Sequence, residues 1–349
     1  MQLNELWFLI VGFLFIGYFV LDGFDFGVGI SLPFLGKDDV DRRVLINTIG
    51  PVWDLNETWV LVAGASLFAA FPEWYATLFS GFYLPLLLIL LALIARGVAF
   101  EYRGKGHTIG ANETRWKATF DWMIFFGSAL PALLWGVAFA NIVQGVPLIH
   151  DAATNSTLFT GNLFTLLNPY GLLGGLVTLT LFWTHGLLFI TLKTEGEIKD
   201  RARKLATKVG LVCTVLAATF LVWTLLTHLT APLFVLELGL TAVAALSLIA
   251  ALWINFKGRE GVAFTLIVVT IVTAVGALFA GLFPNVLPSN IDGGVASLTI
   301  DNARSSDYTL GVMTWVAAIM IPLVLAYQTW TYWVFRKRVS RKSIPATAH

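Results

Sequence analysis

The stretch DGFDFGVG, Asp22 to Gly29, places two carboxylates in the first long apolar run of the chain. A carboxylate at mid-membrane costs about 2.5 to 3.5 kcal/mol on insertion scales, so it faces protein or water rather than lipid. At 100° per residue Tyr18, Asp22, Asp25 and Gly29 share one narrow helical stripe, and Gly23 and Gly27 form a second on a neighbouring face. The GxxxG spacing of that second stripe lets another helix approach closely, because no side chain holds the backbones apart.

Three further polar clusters accompany this one. GPVWDLNETW, Gly50 to Trp59, opens a helix in which Asp54, Glu57 and Thr58 share a face; acidic residues at a helix N-terminus are also favoured by its dipole alone. RGVAFEYRGK brings Arg96 and Glu101 to the end of another run, and Asp121 begins a fourth, beside Trp122. Intramembrane acids of this kind form ion or proton paths. The competing reading is a structural ion pair, with Arg96 neutralising Asp25 or Asp54. One arginine cannot neutralise all of these acids, which favours the functional reading for the group.

These residues need an apolar framework. Of 349 residues 57% are apolar and 12% charged, with a mean hydropathy of +0.80, which sets the chain apart from water-soluble domains. Nine runs are long enough to span a bilayer: about 6–33, 53–71, 75–99, 120–144, 169–191, 207–228, 232–255, 261–282 and 309–335. Their continuous apolarity predicts helices rather than barrel strands. The expected fold is an all-α integral membrane protein, one polytopic domain over residues 1–349. Nine spans place every Lys and Arg except Arg96 and Arg304 on the side of the C-terminus. The basic side is the cytoplasmic one, so the N-terminus is expected outside and the four clusters toward the cytoplasm. The first run lacks the basic n-region of a signal peptide and reads as a retained helix. Trp7, Trp53, Trp74, Trp315, Trp330 and Trp333 fall near span ends, where aromatic belts form.

Redox and nucleotide chemistry find little support in the residues themselves. His107, His150 and His349 fall in loops or the tail, His228 at a span end, and only His185 lies well inside a span. Haem or metal ligation between helices needs imidazoles at matching depth. His185 is expected to be hydrogen-bonded rather than a ligand. The single cysteine, Cys213, can form no internal disulfide, and no Walker A loop or glycine fingerprint occurs. Neither a catalytic residue nor a metal ligand is assigned, and nothing suggests nucleic acid.

GFDFGVG, RRVLINTIGPVWDLNETW and GASLFAAFPEWYATLFSGFYLPL closely resemble subunit II of the cytochrome bd-type quinol oxidases of bacterial respiratory chains. PALLWGVAFANIVQGVP, LLNPYGLLGGL, SLTIDNARSSDYTLGVMTWVA and YQTWTYWVFRKR extend the resemblance to about residues 5–340. The resemblance implies nine helices in two four-helix bundles plus a peripheral helix, in a bacterial cytoplasmic membrane. It implies a haem-free chain paired with a subunit I that carries two b-type haems and one d-type haem, in a complex that oxidises quinol and reduces dioxygen to water. Small accessory membrane subunits and a structural quinone in this subunit belong to the same expectation. Asp54 of the WDxN motif matches the residue associated with a proton entrance, Asp22 and Asp25 the same polar region, and Arg96 the stability of the haem-bearing assembly. Leu55 stands where the family pattern has glycine, placing a bulky side chain beside Asp54. Intramembrane acids and many spans also suit a proton-coupled secondary transporter, but no second DGFDFGVG-like segment marks a repeat.

Overall fold

The structure, a computed structural model, describes residues 2–110, 112–153 and 156–344. His349 lies outside the described residues, and so does the side chain of His107. Helix α1, Leu3–Leu35, opens on a capping box of Gln2 and Glu5 and runs 33 residues, about 50 Å at 1.5 Å per residue. A short amphipathic helix, α2 (Asp39–Ile49), follows; Asp38 caps it by accepting from the Asp41 amide. Helix α3 (Trp53–Ala70) comes next, then α4 (Pro72–Gly81) and α5 (Tyr83–Tyr102).

The run read as one span over 75–99 is therefore two helices, broken at Phe82. Its apolarity is continuous, but Pro85 lacks an N–H and fits only the first turn of a new helix. A 3-10 segment, Arg103–Ile109, leads to α6 (Glu113–Gln144), capped by Asn112. After the single turn α7 (Leu163–Leu166) come α8 (Pro169–Lys193), α9 (Glu197–Thr227), α10 (Phe234–Phe256), α11 (Glu260–Leu282) and α12 (Asp307–Val334). Helix α9 begins ten residues before the span expected at 207, because its charged first turns stay helical beyond the apolar stretch. Among the described residues eight helices are long and apolar enough to cross a membrane. The eighteen-residue α3 carries the polar Trp53–Thr58 turns and is the least apolar of the nine expected spans.

Two small antiparallel hairpins interrupt the all-helical pattern. Strands β1 (Leu148–Asp151) and β2 (Ser156–Phe159) pair after α6, and β3 (Asn285–Leu287) and β4 (Leu298–Thr299) after α11. Glu73 of α4 ties the first down by accepting from the Thr157 amide at 3.1 Å and hydroxyl at 3.0 Å.

Helix α1 is the hub, packing on α3, α6, α8 and α11, while α12 rests mainly on α1 and α3. Lipid tails are as apolar as leucine, so close packing and polar contacts, not water exclusion, hold such helices together. Phe15, Phe19, Trp135 and Phe139 meet edge-on at 5.1–6.1 Å, each contact contributing about 0.5–1.5 kcal/mol. Trp7 and Trp74 are buried against the bundle; the Trp7 indole donates to Thr314 Oγ1 of α12 at 3.0 Å. Trp315, Trp330 and Trp333 remain exposed.

Candidate functional site

Three helices bring charge together inside the bundle. Arg96 of α5 donates through Nη2 to Asp22 Oδ1 of α1 at 2.7 Å and to Glu57 Oε2 of α3 at 2.9 Å. Arg96 and Asp22 are fully buried, whereas the Glu57 side chain keeps 22% exposure. The guanidinium also lies 4.4 Å from the centre of the Phe26 ring. Gly127 of α6 makes the arrangement possible, because a Cβ there would sit 2.8 Å from the Arg96 Cβ.

Asp25 lies beside this ion pair with a different partner. Its Oδ2 accepts from Asn56 Nδ2 at 2.7 Å, and the Asn56 Oδ1 accepts from Gln328 Nε2 at 2.9 Å and Tyr332 Oη at 2.8 Å, both on α12. Asn56 is the last letter of the WDxN motif, yet the sequence reading singled out only its acid. Gln328 and Tyr332 belong to the YQTWTYWVFRKR segment, but nothing in the sequence ties them to Asn56, more than 270 residues away. Asp22 Oδ2, Asp25 Oδ1, and Nε and Nη1 of Arg96 are buried without a hydrogen-bond partner among the described residues. Buried polar atoms of that kind are held for function or hydrated.

The expected pairing of Arg96 with Asp25 or Asp54 is thus replaced by Asp22 and Glu57. Asp54 is exposed at the start of α3, where its carbonyl accepts from Thr58; Asp54 and Glu57 stand three residues apart, and only the second turns inward. Leu55 is half-buried and Glu101 exposed. Asp121 joins neither: it accepts from Arg103 Nε at 2.6 Å and Arg42 Nη1 at 2.8 Å. That second network lies at the helix ends and continues through Asp39, which accepts from Arg103 at 2.9 Å and Lys117 at 3.4 Å. Burial works against ionisation of Asp39, but Arg103 and Lys117 outweigh it and hold its carboxyl below the usual range. Asp41 of α2, buried, binds Arg201 at 2.6 Å and also Arg341. Hydrogen bonds from Arg341 lower the carboxyl of Asp38 in turn. None of this α2 clasp was anticipated, because hydropathy registers α2 only as a loop.

The glycine stripe meets α8. A Cβ on Gly27 would lie 2.0 Å from the Phe182 carbonyl oxygen and 2.7 Å from Gly186 Cα, and one on Gly23 2.9 Å from the Phe182 ring. Gly29 leaves similar room for Ser128, whose hydroxyl would stand 2.1 Å from a Cβ.

The two histidines placed within or at the end of a span are both hydrogen-bonded. His185 Nε2 bonds the Val20 carbonyl at 2.9 Å, and its ring stacks on Phe264 at 5.0 Å with Phe24 edge-on at 5.6 Å. Its Nδ1 is buried without a hydrogen-bond partner among the described residues. His228 Nδ1 bonds Glu237 at 2.8 Å. Among the described residues no group of three or more His, Cys, Asp or Glu could hold a metal ion.

Fold and site together define a polytopic helical membrane protein with a buried group of paired charges. Residues 3–335 match the sequence family described as cytochrome bd terminal oxidase subunit II. Over 349 aligned residues the chain is 42% identical to cytochrome bd ubiquinol oxidase subunit 2 of Bacillus subtilis strain 168, covering 98% of each. It is 40% identical to cytochrome bd-I ubiquinol oxidase subunit 2 of Escherichia coli K12, covering 99% of this chain and 98% of that one. The bd oxidase structure from Geobacillus thermodenitrificans superposes with a TM-score of 0.73 at 16% identity, over 96% of this chain and 99% of that one, a likeness of fold. The chain belongs to the cytochrome bd terminal oxidase subunit II family, whose members are subunits of a quinol-oxidising oxidoreductase complex.

Proposed function

We propose that this chain is the haem-free second subunit of a bacterial quinol:dioxygen oxidoreductase and that it carries protons toward its partner. In this reading nine helices cross the cytoplasmic membrane, with the N-terminus outside and the C-terminus inside, as two four-helix bundles with α12 at the periphery. Subunit I contributes two b-type haems and one d-type haem, which supply the electron transfer and oxygen reduction. This chain steadies that subunit and gathers the protons the reduction consumes.

The observation that carries the reading is Arg96 bound to Asp22 and Glu57 beside Asp25. One fixed cation among three acids leaves the group short of positive charge, and protons are the mobile species able to make up the difference at membrane depth. Glu57, the partly exposed member, takes protons from the surface, with Asp54 one turn away gathering them. Asp22 and Asp25 each keep a free carboxylate oxygen to receive them. Arg96 fixes the position of the acids, and Asn56 orients Asp25.

The test is Glu57→Gln in the purified complex, which keeps the size of the side chain and removes its titration. Quinol-driven oxygen consumption should fall by about tenfold or more while the reduced-minus-oxidised haem spectrum is unchanged. Unaltered turnover would remove Glu57 from the path. Loss of the spectrum would assign the group to assembly instead. Asp54→Asn should also slow turnover with the spectrum intact.

A further inference from the structure

A cavity of about 770 Å³ opens between α1, α8, α11 and α12 at the end of the bundle that carries the basic loops. Its volume is within the roughly 300–1,000 Å³ of ordinary small-molecule pockets. Val20, Leu21, Phe24, Phe189, Leu192 and Phe264 form its apolar side, while Asn47, Thr48 and Tyr332 add polar groups to the wall. The rim has the opposite character. After α12 the chain crosses to the end of α8, where the Val339 amide donates to the Lys193 carbonyl at 2.7 Å and Thr194 bridges Val339. Lys193 Nζ donates back to the carbonyls of Phe335 and Lys337. This strap holds Arg336, Lys337 and Arg338 along the mouth. Arg336 lies over the Trp333 ring at 4.5 Å. Lys337 and Arg338 are exposed and have no carboxylate within salt-bridge distance among the described residues.

An apolar slot beneath a row of cations has the chemistry of an anionic amphiphile. Basic positions at an anionic membrane surface gain about 1 kcal/mol each, and pockets between transmembrane helices with a basic rim select charged head groups. A zwitterionic lipid would fill the slot equally well, but its head-group ammonium adds a cation beside Lys337 and Arg338 and offsets the attraction of its phosphate. We propose that this cavity binds an anionic phospholipid, with an acyl chain along Phe24, Phe189 and Phe264 and the phosphate at Lys337 and Arg338. The bound lipid buttresses α12, which has few other contacts with the bundle. Through Tyr332, a wall residue of the slot that donates to Asn56, it also steadies the partner of Asp25.

The experiment is native mass spectrometry of the purified oxidase complex, delipidated and then titrated with phosphatidylglycerol or phosphatidylcholine. Wild type should retain phosphatidylglycerol in preference. The double variant Lys337→Gln/Arg338→Gln should lose on the order of tenfold in that affinity, with a smaller loss for phosphatidylcholine, so that the preference between the two narrows; both side chains are exposed and without a carboxylate partner among the described residues, and the haem spectrum checks assembly. Leu192→Trp, which puts an indole into the slot, should weaken both lipids. Equal phosphatidylglycerol retention in wild type and the double variant would overturn the proposal. So would retention indifferent to Leu192→Trp, the mark of loose surface charge, or a stoichiometric quinone extracted in place of the lipid.

Discussion

Removing the Arg96 guanidinium is the sharpest perturbation of the buried charge group. In Arg96→Gln, Asp22 loses its 2.7 Å partner in full burial, and Glu57 loses one at 2.9 Å. Deleting one member of a buried pair leaves an uncompensated charge and costs about 3–5 kcal/mol. Because each 1.4 kcal/mol is a factor of ten, the folded-to-unfolded ratio should drop by roughly two to four powers of ten. Thermal unfolding of the purified complex, followed by loss of the haem absorbance, reads this as a lowered midpoint and a reduced yield. Arg96→Lys keeps the charge but not the planar fork, so it should fall between wild type and Arg96→Gln. Adding Asp22→Asn to Arg96→Gln removes the stranded charge and should restore about half of the loss, Glu57 still lacking its partner. A strictly additive double variant, or an Arg96→Gln complex within about 1 kcal/mol of wild type, would refute the claim that these groups form one ionised, desolvated pair.

Two further outcomes follow from packing and surface charge. Gly27→Ala should lower the thermal midpoint or abolish assembly, since the new methyl meets backbone atoms of Phe182 and Gly186 and overpacking costs about 1–3 kcal/mol or more; Gly64→Ala, with open space around it, is the neutral control. Asp38 and Asp39 have folded values below their ordinary ones. Their stabilisation is therefore complete above the unfolded value of about 3.9 and disappears as pH falls through the lower folded values. For Asp38, the midpoint gap between wild type and Arg341→Gln should be constant from pH 7 to 5 and shrink as pH falls below about 3.9; a gap that does not shrink in acid would remove the Arg341–Asp38 bonds as its source.

The sequence made the long helices legible because bilayer thickness imposes a length on apolar runs. It also marked Asp22, Asp25, Glu57 and Arg96 as residues that must avoid lipid. What it could not supply was partnership. Depth alone allowed Arg96 to meet Asp25 or Asp54, and the choice of Asp22 and Glu57 depends on how α1, α3 and α5 are rotated. Asp121 shared the same approximate depth but turns to Arg42 and Arg103 instead. Asn56, Gln328 and Tyr332 escaped notice for a related reason: neutral amides and phenols stand out neither in hydropathy nor in a charge census, and two of them come from the far end of the chain. The division at Phe82 was hidden because a hydropathy window averages over a bend.

The contact between Gly27 and Gly186 has a mechanical consequence. Where two backbones touch with no side chain between them, there is no soft layer to shear, and neither helix can roll or slide without driving main-chain atoms into each other. Helices α1 and α8 are therefore braced against each other there, with Asp25 two residues from the contact. Any adjustment in the spacing of the acids during turnover falls to α3 and α5, whose side chains Asn56 and Arg96 reach Asp25 and Asp22.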